Sequence, residues 1–163
     1  MFFYKTSDEI GIDNLVSILD AFGFGKKTGI DLPGERKGLL PSPAWKREHR
    51  NLPWYPGETL ITGIGQGFLL ATPLQLAHAT SVIAMRGEMQ IPHLVQHVEN
   101  ESGSYQVNLQ DFVGKKLELD DESYWDIIID SMIDVVHGSS GTARASGYGS
   151  SVKFAGKTGT SQV

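Results

Sequence analysis

The chain has 163 residues, 40% hydrophobic and 20% charged, an ordinary globular composition sufficient for one domain with a core. Its net charge of −5, with no stripe of Lys or Arg, argues against a nucleic-acid surface. There are no cysteines, which excludes disulfides and thiolate metal sites, and no apolar run approaches the roughly 20 residues of a membrane span.

Met1 leads into Phe2-Phe3-Tyr4 without the basic flank of a secretory signal, and these residues read as the middle of a core helix. The spacing of Ile12, Leu15, Val16, Leu19 and Phe22 predicts one helix from Ser7 or Asp8 to Phe22, capped by Asp8 and ended by Gly23 and Gly25. Residues 26–44 are rich in Gly and Pro and predict a structured loop, closed by Ser42-Pro43 as the cap and first position of a short helix through Trp45. A second loop over residues 50–67 ends in Gly63-Ile64-Gly65-Gln66-Gly67. Its glycines do not follow the dinucleotide fingerprint and no βαβ unit surrounds them, so a tight turn is the expected role. Thr72-Pro73 starts a helix to about Met85 that buries Leu74, Ala77, Val82 and Ile83.

Ile91 to Val98 has strand character, and residues 99–117 are polar and irregular. His78 reads as a surface or packed histidine. His93 and His97, four apart on a strand, are too distant for one ion, so no metal site and no cofactor is expected. Asp120 or Asp121 caps a helix to about His137, with Tyr124, Trp125, Ile128, Ile129, Met132 and Val136 on its buried side. Residues 138–144 form a turn. Helices therefore flank few strands, which is an α+β arrangement.

In the last stretch Val152 and Phe154 alternate with Ser151 and Lys153, the period of a half-buried strand over residues 151–157. That strand runs into Lys157-Thr158-Gly159-Thr160. A lysine ammonium with a threonine hydroxyl beside it can hold a carboxylate, and a glycine next to them lets another backbone approach. A backbone N–H just beyond can face an oxygen that turns negative during acyl transfer. The stretch reads as a ledge for an extended peptide ending in a carboxylate. Gly156-Lys157-Thr158 also matches the end of a phosphate loop, but Ser151 stands where its opening glycine belongs and a β pattern lies between. A plain surface turn stays open on these four residues alone.

Six stretches in order carry a resemblance: Thr28-Gly29-Ile30-Asp31-Leu32-Pro33-Gly34-Glu35 with Gly38 to Ser42; Trp54 to Thr59; Gly63 to Gly67 with Ala71 to Ala77; Val135-Val136-His137-Gly138; Gly141-Thr142-Ala143-Arg144; and Ala155 to Thr160. Together they resemble the transpeptidase domain of class B penicillin-binding proteins. Trp54 to Thr59 favours the elongation type over a septal relative. The resemblance implies a serine β-lactamase-like α+β fold, with helices flanking an antiparallel sheet that is incomplete here. It implies an enzyme that cross-links peptidoglycan stem peptides through a serine acyl-enzyme and is trapped by β-lactams. Lys157 would supply charge to the substrate carboxylate and to proton transfer, and Thr158 and Thr160 hydroxyls to that carboxylate. Gly159 would clear the edge, and the Thr160 N–H would form one arm of an oxyanion hole.

The family uses S-x-x-K, then S-x-N or S-x-D, then K-[ST]-G, and only the third is recognised here. Ser150-Ser151-Val152-Lys153 spells the first, yet it opens a strand, where i and i+3 point to opposite faces. Residues 1–163 are therefore expected to be the C-terminal part of such a domain, incomplete at both ends and inactive alone. The implied parent is anchored in the bacterial inner membrane with this part in the periplasm, working with an elongation-machinery glycosyltransferase. Two alternatives are a non-catalytic module binding muropeptide or a partner protein, and a serine β-lactamase relative, against which the region 28–77 speaks.

Overall fold

Two helices, not one, open the chain. α1 (Phe2–Ile10) and α2 (Ile12–Ala21) meet at Gly11, whose φ of 76° and ψ of 163° break the helical path and suit glycine. The computed structural model describes residues 1–101 and 103–161. Asp8 lies inside α1 instead of capping a helix, because Met1 already occupies the cap position. Phe2 to Tyr4 are helical, but they are surface residues and not core: Phe2 is 74% exposed.

The loop after α2 contains a single bridge, Leu39 to Leu70, made by reciprocal N–H···O bonds of 2.7 and 2.9 Å. Gln75 anchors this loop. Its side chain is 1% exposed, its amide donates to the carbonyls of Lys26 (2.6 Å) and Lys37 (2.8 Å), and its oxygen accepts from Thr72 N (2.9 Å). α3 (Pro43–Arg50) starts as expected, with Ser42 Oγ accepting from Trp45 N at 3.1 Å. It runs five residues past Trp45 and stops at Asn51 in the left-handed region.

α4 (Pro56–Thr62) occupies what composition suggests is loop. Pro56 sits in its first turn and Glu58 accepts from Tyr55 N at 2.7 Å, so local signals suffice for a helix this short. Gly63 to Gly67 then closes as the expected turn, with Gln66 N donating to Ile61 O at 3.1 Å. α5 (Pro73–Ala84) begins in a reciprocal Thr72–Gln75 capping box. It buries Ala79 and Val82, while Leu74 and Ile83 are half-buried and Ala77 is exposed, contrary to expectation.

The only sheet among the described residues is an antiparallel hairpin of β1 (His97–Asn100) and β2 (Gly103–Gln106), with His97 opposite Gln106. The expected strand from Ile91 thus shrinks to its last two residues. The stretch expected to be irregular, 99–117, instead contains β2 and a 3₁₀ turn, Leu109–Phe112. Pairing decides this and apolar content does not. α6 (Ser123–His137) has Glu122 at its cap position, not Asp120 or Asp121; Asp121, one residue earlier, accepts from Ser123 N at 2.8 Å through Oδ1. It buries Trp125 and Val136, but Tyr124 and Ile128 face outward. α7 (Arg144–Gly147) follows a tight turn.

The core lies between α5 and α6, where Val82 and Trp125 are each 0% exposed. Phe22 meets the Trp125 ring edge-on at 6.3 Å. α1 packs on α4 and α7 on α6. The class is α+β, as the sequence pattern implies. No helix among the described residues is long and apolar enough to cross a membrane.

Candidate active-site wall

Residues 153–161 lack regular secondary structure, so the strand expected over 151–157 is absent. Alternating Val152 and Phe154 supply the pattern of a strand, but no ladder partner lies beside them among the described residues. Contacts from α6 and the turn behind it take the place of a ladder. Phe154 N donates to His137 Nε2 at 3.2 Å, and the two rings meet edge-on with centroids 5.3 Å apart. Gly156 N donates to Met132 O at 3.0 Å. The Thr158 hydroxyl lies 3.2 Å from that of Thr142. Residues 154, 156 and 158 are thus held from one side, the spacing of an alternating backbone.

The turn that carries Thr142 is shaped by Gly141. A Cβ there would lie 2.4 Å from Val135 O and 2.5 Å from Asp134 O, so only glycine lets the chain fold back onto the last turn of α6. Ala143 N then donates to Val135 O at 2.9 Å and fixes Thr142 between two anchored neighbours.

On the other side, Lys157 Nζ lies 5.3 Å from the Phe3 ring centroid and donates to Thr158 O at 2.6 Å. A cation over an exposed ring contributes about 0.5–1 kcal/mol. Among the described residues no carboxylate pairs with this ammonium. Gln66 Nε2 reaches Thr160 O at 3.5 Å, so the glycine-rich turn touches the end of the ledge. Space beside Gly159 is open: an added Cβ would meet nothing within 4 Å. Lys157, Thr158, Gly159 and Thr160 are all exposed.

Ser150 does not face Lys153 as a nucleophile faces its base. Its hydroxyl donates to Val152 O at 2.8 Å and accepts from Val152 N at 3.2 Å, a closed local turn. An open depression of about 560 Å³ flanks the wall, lined by Ser131, Asp134 and Val135 of α6 and by the turn through Thr142.

The segment Thr28 to Glu35 is a clip at a distance from the ledge in sequence. Glu35 accepts from Thr28 N and Thr28 Oγ1, both at 2.7 Å, and from Gly29 N at 3.2 Å. Burial pushes its carboxyl up, yet these bonds and Lys27 outweigh that and leave it below its ordinary value. Asp31 accepts from Val95 N at 2.9 Å and Leu94 N at 2.8 Å, and those two N–H groups hold its carboxyl low.

Sequence reasoning singles out Lys157 to Thr160 but assigns no part to Gln66, His137 or Thr142. All three stood in the stretches that carry the resemblance, which was the available signal.

These features define an α+β unit that presents a cationic, hydroxyl-bearing ledge along one helix. The model of the penicillin-binding protein transpeptidase domain matches residues 1–163, and the chain belongs to that family. It is 39% identical over 163 residues to the peptidoglycan D,D-transpeptidase MrdA of Acinetobacter baumannii, a match covering 99% of this chain and 23% of that protein. MrdA of Escherichia coli K12 is 36% identical over 162 residues, covering 99% and 25%. Among solved structures, Pseudomonas aeruginosa PBP2 in complex with WCK 5153 superposes with a TM-score of 0.89 at 43% identity, over 99% of this chain and 36% of that one. Helicobacter pylori PBP2, in its complex with MreC, gives a TM-score of 0.85 at 38% identity, over 99% and 28%. The chain spans about a quarter of the length of these curated relatives. The resemblance read from the six stretches is thereby borne out.

Proposed function

We propose that this chain forms one wall of a peptidoglycan D,D-transpeptidase site, the C-terminal part of a transpeptidase domain. The observation that supports this is the open ledge. Lys157, Thr158, Gly159 and Thr160 follow one another on the surface, while α6 and the turn after it hold residues 154, 156 and 158 from behind. Lys157 supplies the charge that attracts the C-terminal carboxylate of a stem peptide or the carboxylate of a β-lactam. Thr158 and Thr160 donate hydroxyl hydrogen bonds to it, and open space at Gly159 admits the peptide backbone. The Thr160 N–H stabilises the oxyanion of the acyl-transfer step.

The nucleophilic serine and its lysine lie in the S-x-x-K motif of the full-length protein and not in this chain, so the piece alone does not acylate. The parent acts at the periplasmic face of the inner membrane beside an elongation-machinery glycosyltransferase. Two comparisons support partners of that kind: the Helicobacter pylori structure is a complex of PBP2 with MreC, and a relative 35% identical with a TM-score of 0.68 belongs to a peptidoglycan synthase complex. The test is intact-mass measurement after incubation with benzylpenicillin. This chain should keep its mass while the full-length protein gains one penicilloyl group. An adduct on this chain would overturn the assignment and point to one of its own serines.

A further inference from the structure

We infer that Thr142 is a positioning residue that sets the hydrogen-bonding direction of the Thr158 hydroxyl, and so the ledge's preference for a carboxylate. The inference rests on the reading of Lys157 to Thr160 as a carboxylate ledge and names a residue behind it. Thr142 Oγ1 and Thr158 Oγ1 are 3.2 Å apart, sixteen residues apart in sequence. Among the described residues the Thr142 hydroxyl has no other hydrogen-bond partner. Its position is imposed by backbone: Gly141 permits the tight return onto α6, and the bond from Ala143 N to Val135 O closes it.

A hydroxyl has one proton to donate and two lone pairs. When Thr142 donates to Thr158 Oγ1, the Thr158 proton is released from that pairing and is free to donate outward. A carboxylate can only accept, so it rewards this direction of the pair. Each bond in such a chain polarises the next and strengthens the outer one. With Thr142 unable to donate, the Thr158 rotor loses its fixed orientation. A neutral ester in place of the carboxylate gains little from the relay.

The full-length transpeptidase carrying these residues is assayed with benzylpenicillin and with benzylpenicillin methyl ester, and acylation rates are read by intact mass. Thr142→Val should slow acylation by the carboxylate probe about five- to tenfold, the size of one neutral hydrogen bond, and leave the ester rate unchanged. Thr142→Ser should restore the wild-type preference. Thr142→Val combined with Thr158→Val should behave as Thr158→Val alone, because both act through one hydroxyl. Equal loss with both probes overturns the proposal, since Thr142 would then only support the fold. An unchanged preference in Thr142→Val also overturns it. A wild-type protein that does not distinguish the two probes sinks the ledge reading itself, and this inference with it.

Discussion

Lys46 and Glu58 form an ion pair 2.5 Å long, with the lysine side chain only 3% exposed. The ammonium also lies 4.4 Å from the Tyr55 ring centroid and 5.9 Å from that of Phe68, and the second Glu58 oxygen accepts from Tyr55 N. One pair therefore joins α3 to the first turn of α4. The turn after α4 is the one that brings Gln66 to Thr160, so this pair supports the far end of the ledge.

Glu58→Gln leaves a buried ammonium without its counter-charge. The expected cost is about 3 kcal/mol, at the low end for a buried pair because Glu58 still meets solvent. Lys46→Met combined with Glu58→Gln should recover most of it, since an apolar stem suits the space beside Tyr55 and Phe68. Urea titration reads both. A Glu58→Gln midpoint equal to wild type would show that the pair contributes nothing.

Gln75→Leu keeps the volume of the side chain and removes three hydrogen bonds. The carbonyls of Lys26 and Lys37 and the N–H of Thr72 are left unmatched, at a combined cost of about 3 kcal/mol once partial solvation is allowed for. Gln75→Glu should be at least as damaging, because a carboxylate cannot donate to two carbonyls. Thermal melts of both variants test this, and a Gln75→Glu protein as stable as wild type would contradict it.

Gly141→Ala places a methyl group against two carbonyl oxygens of α6. The turn must open, which should cost about 2 kcal/mol and move Thr142 away from Thr158. The measurement is a melting temperature together with the backbone amide shifts of Thr142 and Thr158. Unchanged shifts at both would show that the close approach does not set the turn.

The helix starts were the most legible part of the fold. Ser42-Pro43 and Thr72-Pro73 place side chains and prolines where local chemistry alone selects a helix, and the structure uses both, while at α6 the cap falls on Glu122, one residue past Asp121. Burial was less legible. Tyr124 and Ile128 share the apolar stripe of α6 with Trp125, yet periodicity cannot say how much of a stripe its neighbours cover. Gly11 gives no signal in the sequence, because a single glycine in an apolar helical pattern is often tolerated, and only its backbone angles reveal the break. The ledge was legible as four residues, but its supports were not. His137 and Thr142 reach it through tertiary contacts across seventeen and sixteen residues, which no local pattern encodes.

Acid should release the link between Asp31 and residues 94–95 and the closure of the Thr28–Glu35 clip. Both carboxyls are held below their ordinary values, 3.8 for Asp31 and 4.5 for Glu35. In the unfolded chain they bind protons at a higher pH than in the folded one, so stability rises with pH across that window. Their contribution is complete above about pH 4.5 and disappears as pH falls through the lower folded values. The amide resonances of Leu94 and Val95 report Asp31 directly, because their N–H groups donate to its two oxygens. They should titrate together with a midpoint below 3.8, and Asp31→Asn should abolish the transition. A midpoint at or above 3.8 would mean that these two N–H groups do not favour the ionised carboxylate in solution.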